Sequence, residues 1–289
     1  MLLVRTLNSI SPADAALVGG KALNCARLKQ AGVAVPDGIV LTTEAMGTTE
    51  IPELHRWLAG LPPGTCLAVR SSATGEDGAG HSFAGIHETT LNVLPAKVPE
   101  AIRSCWASVT SPQAPAYRRA QNLRAENPKT AVLIQIMIDS VVSGVAFTTN
   151  PITGNADELV INSIFGLGEA LVSGQVDPDE FRVRKAGSQI IARHVASVMP
   201  SLTSEMVRNL TEILLRIERH YGAPQDVEWR HDGSQFWIVQ SRPITTAAPA
   251  RKNDIEWTRA NVREVFPDLT LPMTLCVAET LPRKPNSEN

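Results

Sequence analysis

The segment from Asp226 to Ile244, DVEWRHDGSQFWIVQSRPI, carries Glu228, Gln240 and Arg242 on what reads as two β-strands joined by a turn. A carboxylate, an amide oxygen and a guanidinium gathered at one rim can bind a hard metal ion and a polyphosphate together. Whether they gather depends on register. A two-residue turn at Asp232-Gly233 places Glu228 opposite Trp237 and on the other face from Gln240, which forbids a shared ion. A three-residue loop, Asp232-Gly233-Ser234, places Glu228 opposite Ile238 and diagonal to Gln240, with Arg242 further along the same face. The metal-site reading therefore expects the odd-length loop. The plain alternative is a polar strand end with Glu228 in water.

Two other cations bear on an anion site. Lys21 follows Gly19-Gly20 at the opening of a helix, where the helix dipole disfavours positive charge and a nearby anion would relieve the mismatch. A solvated lysine after a turn is the alternative there. Arg70 ends the apolar run LAVR just before Ser71-Ser72. An arginine leaving a buried strand takes a fixed anionic partner, either a protein carboxylate or a phosphate gripped by both arms of the fork. The stretch 71–85, SSATGEDGAGHSFAG, is glycine-rich and reads as a loop whose backbone N–H groups can fold over phosphates. It is not a Walker A loop, because no GK[ST] closes it, nor a GxGxxG turn opening a helix.

The elements that must hold these groups are mixed in type. Leu17 to Gln30 reads as a glycine turn leading into a helix that Gly32 ends, with a β-like run from Val33 to Thr42 after it. Cys66 to Arg70 and Thr89 to Val93 read as strands, Pro99 to Ser108 and Ala114 to Ala125 as helices. Ala131 to Ile138 is nearly unbroken β-rich sequence, as in a strand buried on both faces. Val141 to Thr148 is expected beside it in one central sheet, with Glu158 to Ser163 a further strand. Glu205 to Tyr221 has helical apolar spacing and stops at Gly222.

With 289 residues, 43% hydrophobic and 19% charged, the chain can build one large domain or two lobes. Lys and Arg total 27 against 29 Asp and Glu, so there is no overall basic field for nucleic acid or an anionic membrane. The apolar start is too short for a signal peptide and no later run has the length of a span, so a cytoplasmic location is expected. Cys25, Cys66, Cys105 and Cys276 form no CxxC pair, which fits reduced thiols and gives no zinc pattern.

Six blocks resemble the ATP-binding domain of the phosphoenolpyruvate synthase and pyruvate phosphate dikinase family, with rifampicin phosphotransferase close by pattern. They are VGGKALNCARLKQAGVAVPDGIVLT, AVRSSATGEDGAGHSFAGIHETTLNV, AVLIQIMI, SGVAFTTNPITG, INSIFGLGEALVSGQVDPDEFRV and DVEWRHDGSQFWIVQSRPIT, in the family's order over most of residues 17–245. The resemblance implies an α/β (α+β) ATP-grasp-like fold whose two lobes, about 1–110 and 111–245, hold ATP between sheets. It implies that Lys21, Arg70 and Arg242 are the cations around the transferred phosphate, and that Glu228 and Gln240 are Mg²⁺ ligands. It further implies a phosphate lid over 74–85, including Thr74, Gly75 and Gly85, an adenine-side strand at Gln135 and Met137, and a ribose-side carboxylate at Glu169. Cofactors ATP and Mg²⁺ follow from the same likeness.

Two departures qualify it. The interval from Lys21 to Arg70 is shorter than the family's, so one lobe is expected to be trimmed. The family passes phosphate through a histidine in a TSH-type segment, and none of His55, His81, His87, His194, His220 and His231 has that context. A separate histidine-carrier polypeptide and a small-molecule acceptor are therefore the expected partners, with no nucleic acid and no membrane. Residues 246–289 read as a linker and the start of a following domain. The resulting expectation is an incomplete phosphotransferase of the pyruvate, water dikinase kind. A non-catalytic ATP-binding module, or the ATP-binding piece of an antibiotic kinase, is the alternative.

Overall fold

The computed structural model describes residues 3–73, 89–108, 129–166, 177–196 and 198–244. Two antiparallel sheets organise them. The first runs β1 (Val4–Thr6), β2 (Gly38–Leu41), β5 (Thr130–Ile136), β3 (Leu67–Ala73) and β4 (Thr89–Val93), in that spatial order. The second runs β11 (Phe236–Pro243), β10 (Gln225–His231), β6 (Val142–Phe147), β7 (Glu158–Phe165), β8 (Asp179–Arg184) and β9 (Gln189–His194). The mixed α/β architecture with two sheets agrees with the expected fold class.

Residue alternation explains how each sheet is covered. Ala131 and Leu133 of β5 enter the core that includes α1 (Ala15–Gln30), while Val132 and Ile134 face the core shared with α2 (Pro52–Ala59) and α3 (Val98–Ser108). The strand is thus buried on both sides, as its unbroken apolar run requires. In the second sheet, Leu159, Ile161, Phe181, Val183, Val227 and Trp229 join the core of α4 (Ser204–Tyr221) through Val207, Leu210, Leu214 and Ile217. Burial of each such helix side chain contributes about 1.5–3 kcal/mol. Thr203 caps this helix by accepting from the Met206 amide at 3.2 Å, and left-handed Gly222 ends it. The opposite face of the second sheet carries a small apolar cluster of Val145, Ile164 and Phe147, and beside it Asp226, Glu228 and Arg230 of β10.

Helix α1 contains a break that fixes its place. Gly19 has φ +73°, and a Cβ there would lie 2.2 Å from the Ser72 carbonyl oxygen. Only glycine permits both the backbone angle and the approach. The Ala22 amide just beyond donates to Ser72 Oγ at 3.1 Å, so the end of β3 caps the continuing helix.

One expectation changes. β6 does not lie beside β5 in one sheet; the two belong to different sheets. The reason is that both edges of β5 are taken, by β2 on one side and β3 on the other. The pattern continues to the strand's last residue and one beyond it, where the Ile136 and Met137 amides donate to Asp37 O at 2.8 Å and Cys66 O at 2.9 Å. Residues 137–141 therefore cross from the first sheet to the second.

Candidate functional site

The hairpin of β10 and β11 resolves the register question in a way the turn alone does not. His231 pairs with Phe236, so the loop is four residues long, Asp232 to Gln235, and not three. Asp232 builds it: Oδ1 accepts from the Ser234 amide at 2.8 Å and the Gln235 amide at 2.9 Å, and Oδ2 accepts from Trp237 Nε1 at 2.7 Å. The Trp237 indole N–H, the Gln235 amide and Ser234 hold this carboxyl far below the usual range. Continued from this even-length loop, the ladder would turn Gln240 away from Glu228. A bulge between Glu228 and Trp229 adds one residue on β11 and shifts the pairing, so that Glu228 faces Gln240 and Asp226 faces Arg242. The expected odd loop is thus corrected to an even loop with a bulge. Phe236 and Ile238 stay in the core with Trp229, whereas Gln240 and Arg242 change faces.

Val239, the extra residue, also supplies an acceptor. Its carbonyl oxygen accepts from Arg70 Nη1 at 2.9 Å and from Cys25 Sγ at 3.7 Å. Arg70 comes from β3 of the first sheet and reaches β11 of the second. Its Nη2 donates to Gln240 Oε1 and lies 3.9 Å from Glu228 Oε2. The residue is only 8% exposed, and its buried Nε has no acceptor among the described residues. A buried guanidinium N–H lacking an acceptor is costly and points to a missing oxygen.

Arg242 is held differently. Asp226 Oδ2 accepts from its Nε at 2.9 Å and lies 2.9 Å from Nη2. Asp226 was not anticipated, though its place two residues before Glu228 on one strand face puts it in the same row. Two carboxylates, two guanidiniums and an amide thus occupy neighbouring positions, and their charges balance.

A cleft of about 90 Å³ adjoins this cluster, lined by Arg70, Glu228 and Arg230 together with Gln135, Ile136 and Met137 among others. The expected adenine-side residues are therefore in the same cleft as Arg70. Gln135 is buried and donates to Pro36 O at 3.2 Å. Lys21 is also buried and lies next to Ala22, on the stretch of α1 that Gly19 seats against Ser72. Thr74, Gly75, Gly85 and Glu169 lie outside the described residues.

The residues fit a magnesium ion in kind. Mg²⁺ takes one or two protein oxygens together with phosphate and water, so Glu228 and Gln240 would suffice. Gln240 Oε1 has two lone pairs and can accept from Arg70 while ligating.

The family description "Pyruvate phosphate dikinase, AMP/ATP-binding domain" matches residues 50–198 and 196–262. The chain belongs to this family. A rifampicin phosphotransferase of Streptomyces sviceus is 40% identical to this AMP/ATP-binding domain over 209 residues, 64% of this chain and 24% of its own length. A probable phosphoenolpyruvate synthase of Pyrococcus horikoshii is 38% identical over 222 residues, covering 66% and 27%. A rifampicin phosphotransferase of a Streptomyces species is 32% identical over 321 residues, 87% and 37%. That aligned stretch exceeds this chain's 289 residues, so the relative carries segments absent here. The chain spans well under half the length of these relatives. A D-alanine–D-alanine ligase from Helicobacter pylori covers 80% of this chain and 54% of its own at 11% identity and a TM-score of 0.40, a likeness too loose to bear on function.

Proposed function

We propose that this domain binds Mg·ATP between its lobes and serves as the ATP-binding component of a phosphoenolpyruvate synthase-like phosphotransferase. The observation that carries this is Arg70. A buried arginine of one sheet meets Gln240 and Glu228 of the other, beside the cleft, and keeps an N–H without an acceptor among the described residues.

The roles follow from position. Arg70 binds phosphate oxygens and ties the lobes together; Arg242, oriented by Asp226, offers a second cation along the same strand row. Glu228 and Gln240 hold Mg²⁺, which when bound offsets charge on the phosphates. Lys21 adds a third positive charge near the end of β3, and Gln135 and Met137 line the base side. Preorganised cations of this kind stabilise a phosphoryl group in flight. The final step is transfer to a histidine on a separate domain or polypeptide, in a cytoplasmic setting. Among the described residues no helix is long and apolar enough to cross a membrane.

The test is incubation with labelled ATP, Mg²⁺ and a separately made histidine domain of a relative. Label on the histidine with AMP appearing supports the proposal; nucleotide binding without transfer favours a binding module without turnover. That second reading draws on Arg70 already engaging Gln240 Oε1, a proposed metal ligand.

A further inference from the structure

Resting on the nucleotide reading above, the geometry points to Arg230 as the residue that sets access to the base end of the cleft. Arg230 lies on β10, two residues beyond Glu228 on the same face, and pairs in register with Ser143 of β6 and Trp237 of β11. It belongs wholly to the second sheet, yet Nη1 donates across the gap to the Ile138 carbonyl at 3.4 Å. Ile138 stands on the crossing between the sheets, beside Met137.

Three observations make this contact more than a surface bond. First, the cleft that Arg230 lines with Ala68, Leu91, Met137 and Ile138 holds only about 90 Å³. Pockets for nucleotide-sized ligands start at roughly 300 Å³. Second, Arg230 reaches Ile138 O, next to Met137, which the nucleotide reading gives to the base side, so it stands where a base belongs. Third, the backbone edge a base would read is already used. The Met137 amide donates to Cys66 O at 2.9 Å, and Ile138 O accepts from Ser140 Oγ at 3.1 Å as well as from Arg230. Of these partners, Arg230 alone is a long side chain reaching in from the facing sheet. A base entering the cleft displaces it, frees one lone pair of Ile138 O and loosens its hold on the crossing.

The consequence is a binding cost that falls on the base and not on the phosphates. Calorimetry with Mg·ATP and with Mg·tripolyphosphate, which has no base, separates the two. Arg230→Ala is expected to bind Mg·ATP about three- to tenfold tighter than wild type, the scale of one weak charge-assisted hydrogen bond, with tripolyphosphate affinity unchanged. Arg230→Gln, shorter and uncharged, repeats the test if the alanine variant has a much lower Tm. Unchanged or weaker ATP binding in a folded variant overturns the inference, and so does an equal shift for tripolyphosphate, which would mean a general charge effect. Wild-type protein that binds no ATP at all would instead defeat the nucleotide reading, and this inference with it.

Discussion

Glu228 stands directly opposite Gln240 across the β10–β11 ladder, although counting back from the turn sets Gln240 on the other face. The extra residue at Val239 produces the pairing, and its carbonyl then anchors Arg70 at 2.9 Å. One irregular residue therefore brings Glu228 and Gln240 face to face and receives Arg70 from the other sheet.

Deleting Val239 makes Ile238 and Gln240 chain neighbours, so the ladder becomes regular with Glu228 still opposite Gln240, and what is lost is the bulge carbonyl that accepts from Arg70 and Cys25. Leaving the buried Arg70 Nη1 without that acceptor costs roughly 1–3 kcal/mol. The expected result is a lower unfolding midpoint in urea together with loss of measurable Mg·ATP binding. A deletion variant that still binds nucleotide would remove the bulge from the site.

Arg70→Ala removes the donor to Val239 O and Gln240 Oε1 and leaves Glu228 without its nearby cation. The expected loss is about 2–4 kcal/mol by chemical denaturation, with nucleotide binding abolished. Arg70→Lys keeps the charge but not the fork, so it should recover part of the stability and little of the binding.

Glu228 has a side chain 40% exposed, and its alanine variant should fold normally. The predicted change is in metal dependence: ATP binding by Glu228→Ala should no longer strengthen when Mg²⁺ is added. Asp226→Asn should weaken phosphoryl transfer by releasing Arg242, with the Mg²⁺ dependence of binding retained.

Gly19→Ala meets two obstacles, a φ of +73° with extended ψ and a backbone oxygen 2.2 Å from the new Cβ. A destabilisation of about 3–5 kcal/mol is expected, from backbone strain plus overpacking. Ser72→Ala, which loses only the bond to the Ala22 amide, should cost about 0.5–2 kcal/mol. Denaturant melts of the two variants order these effects, and a mild Gly19→Ala would contradict the packing argument.

Asp179 gives a pH signature. Burial by itself raises its pKa, but the Ser201 amide at 2.6 Å, the Ser201 hydroxyl at 2.7 Å and the Ala196 amide at 2.9 Å outweigh this and lower it below 3.8. A depressed carboxyl stabilises the fold above its unfolded pKa and loses that contribution as pH falls through the folded value. The stability gap between wild type and Asp179→Asn should hold steady near neutrality and shrink below about pH 4. A gap that widened on acidification would contradict the assignment.

Much of this arrangement was legible in the residues. Thr89–Val93 is the strand its sequence suggested, and α4 lies within one residue of its apolar pattern. What was not legible came from non-local constraints. No local signal says that β2 and β3 would fill both edges of β5 and send β6 to another sheet. The bulge was hidden because Phe236, Ile238, Gln240 and Arg242 keep one alternation in sequence while occupying two faces in space. The Asp226–Arg242 pair needed that same register before it could be seen. Arg230 gave no sign beyond its position two residues after Glu228.

β11 is an outer strand of the six-stranded sheet, and exposed strand edges are templates for pairing with other chains. Here the Ile238 amide donates to Ala34 O at 2.8 Å, and the kink at Val239 follows at once. The irregularity that gathers Glu228, Gln240 and Arg70 thereby also interrupts a surface on which a second copy could add a strand. Variants that straighten β11 risk becoming sticky as well as inert, so solubility and activity are tied to one residue.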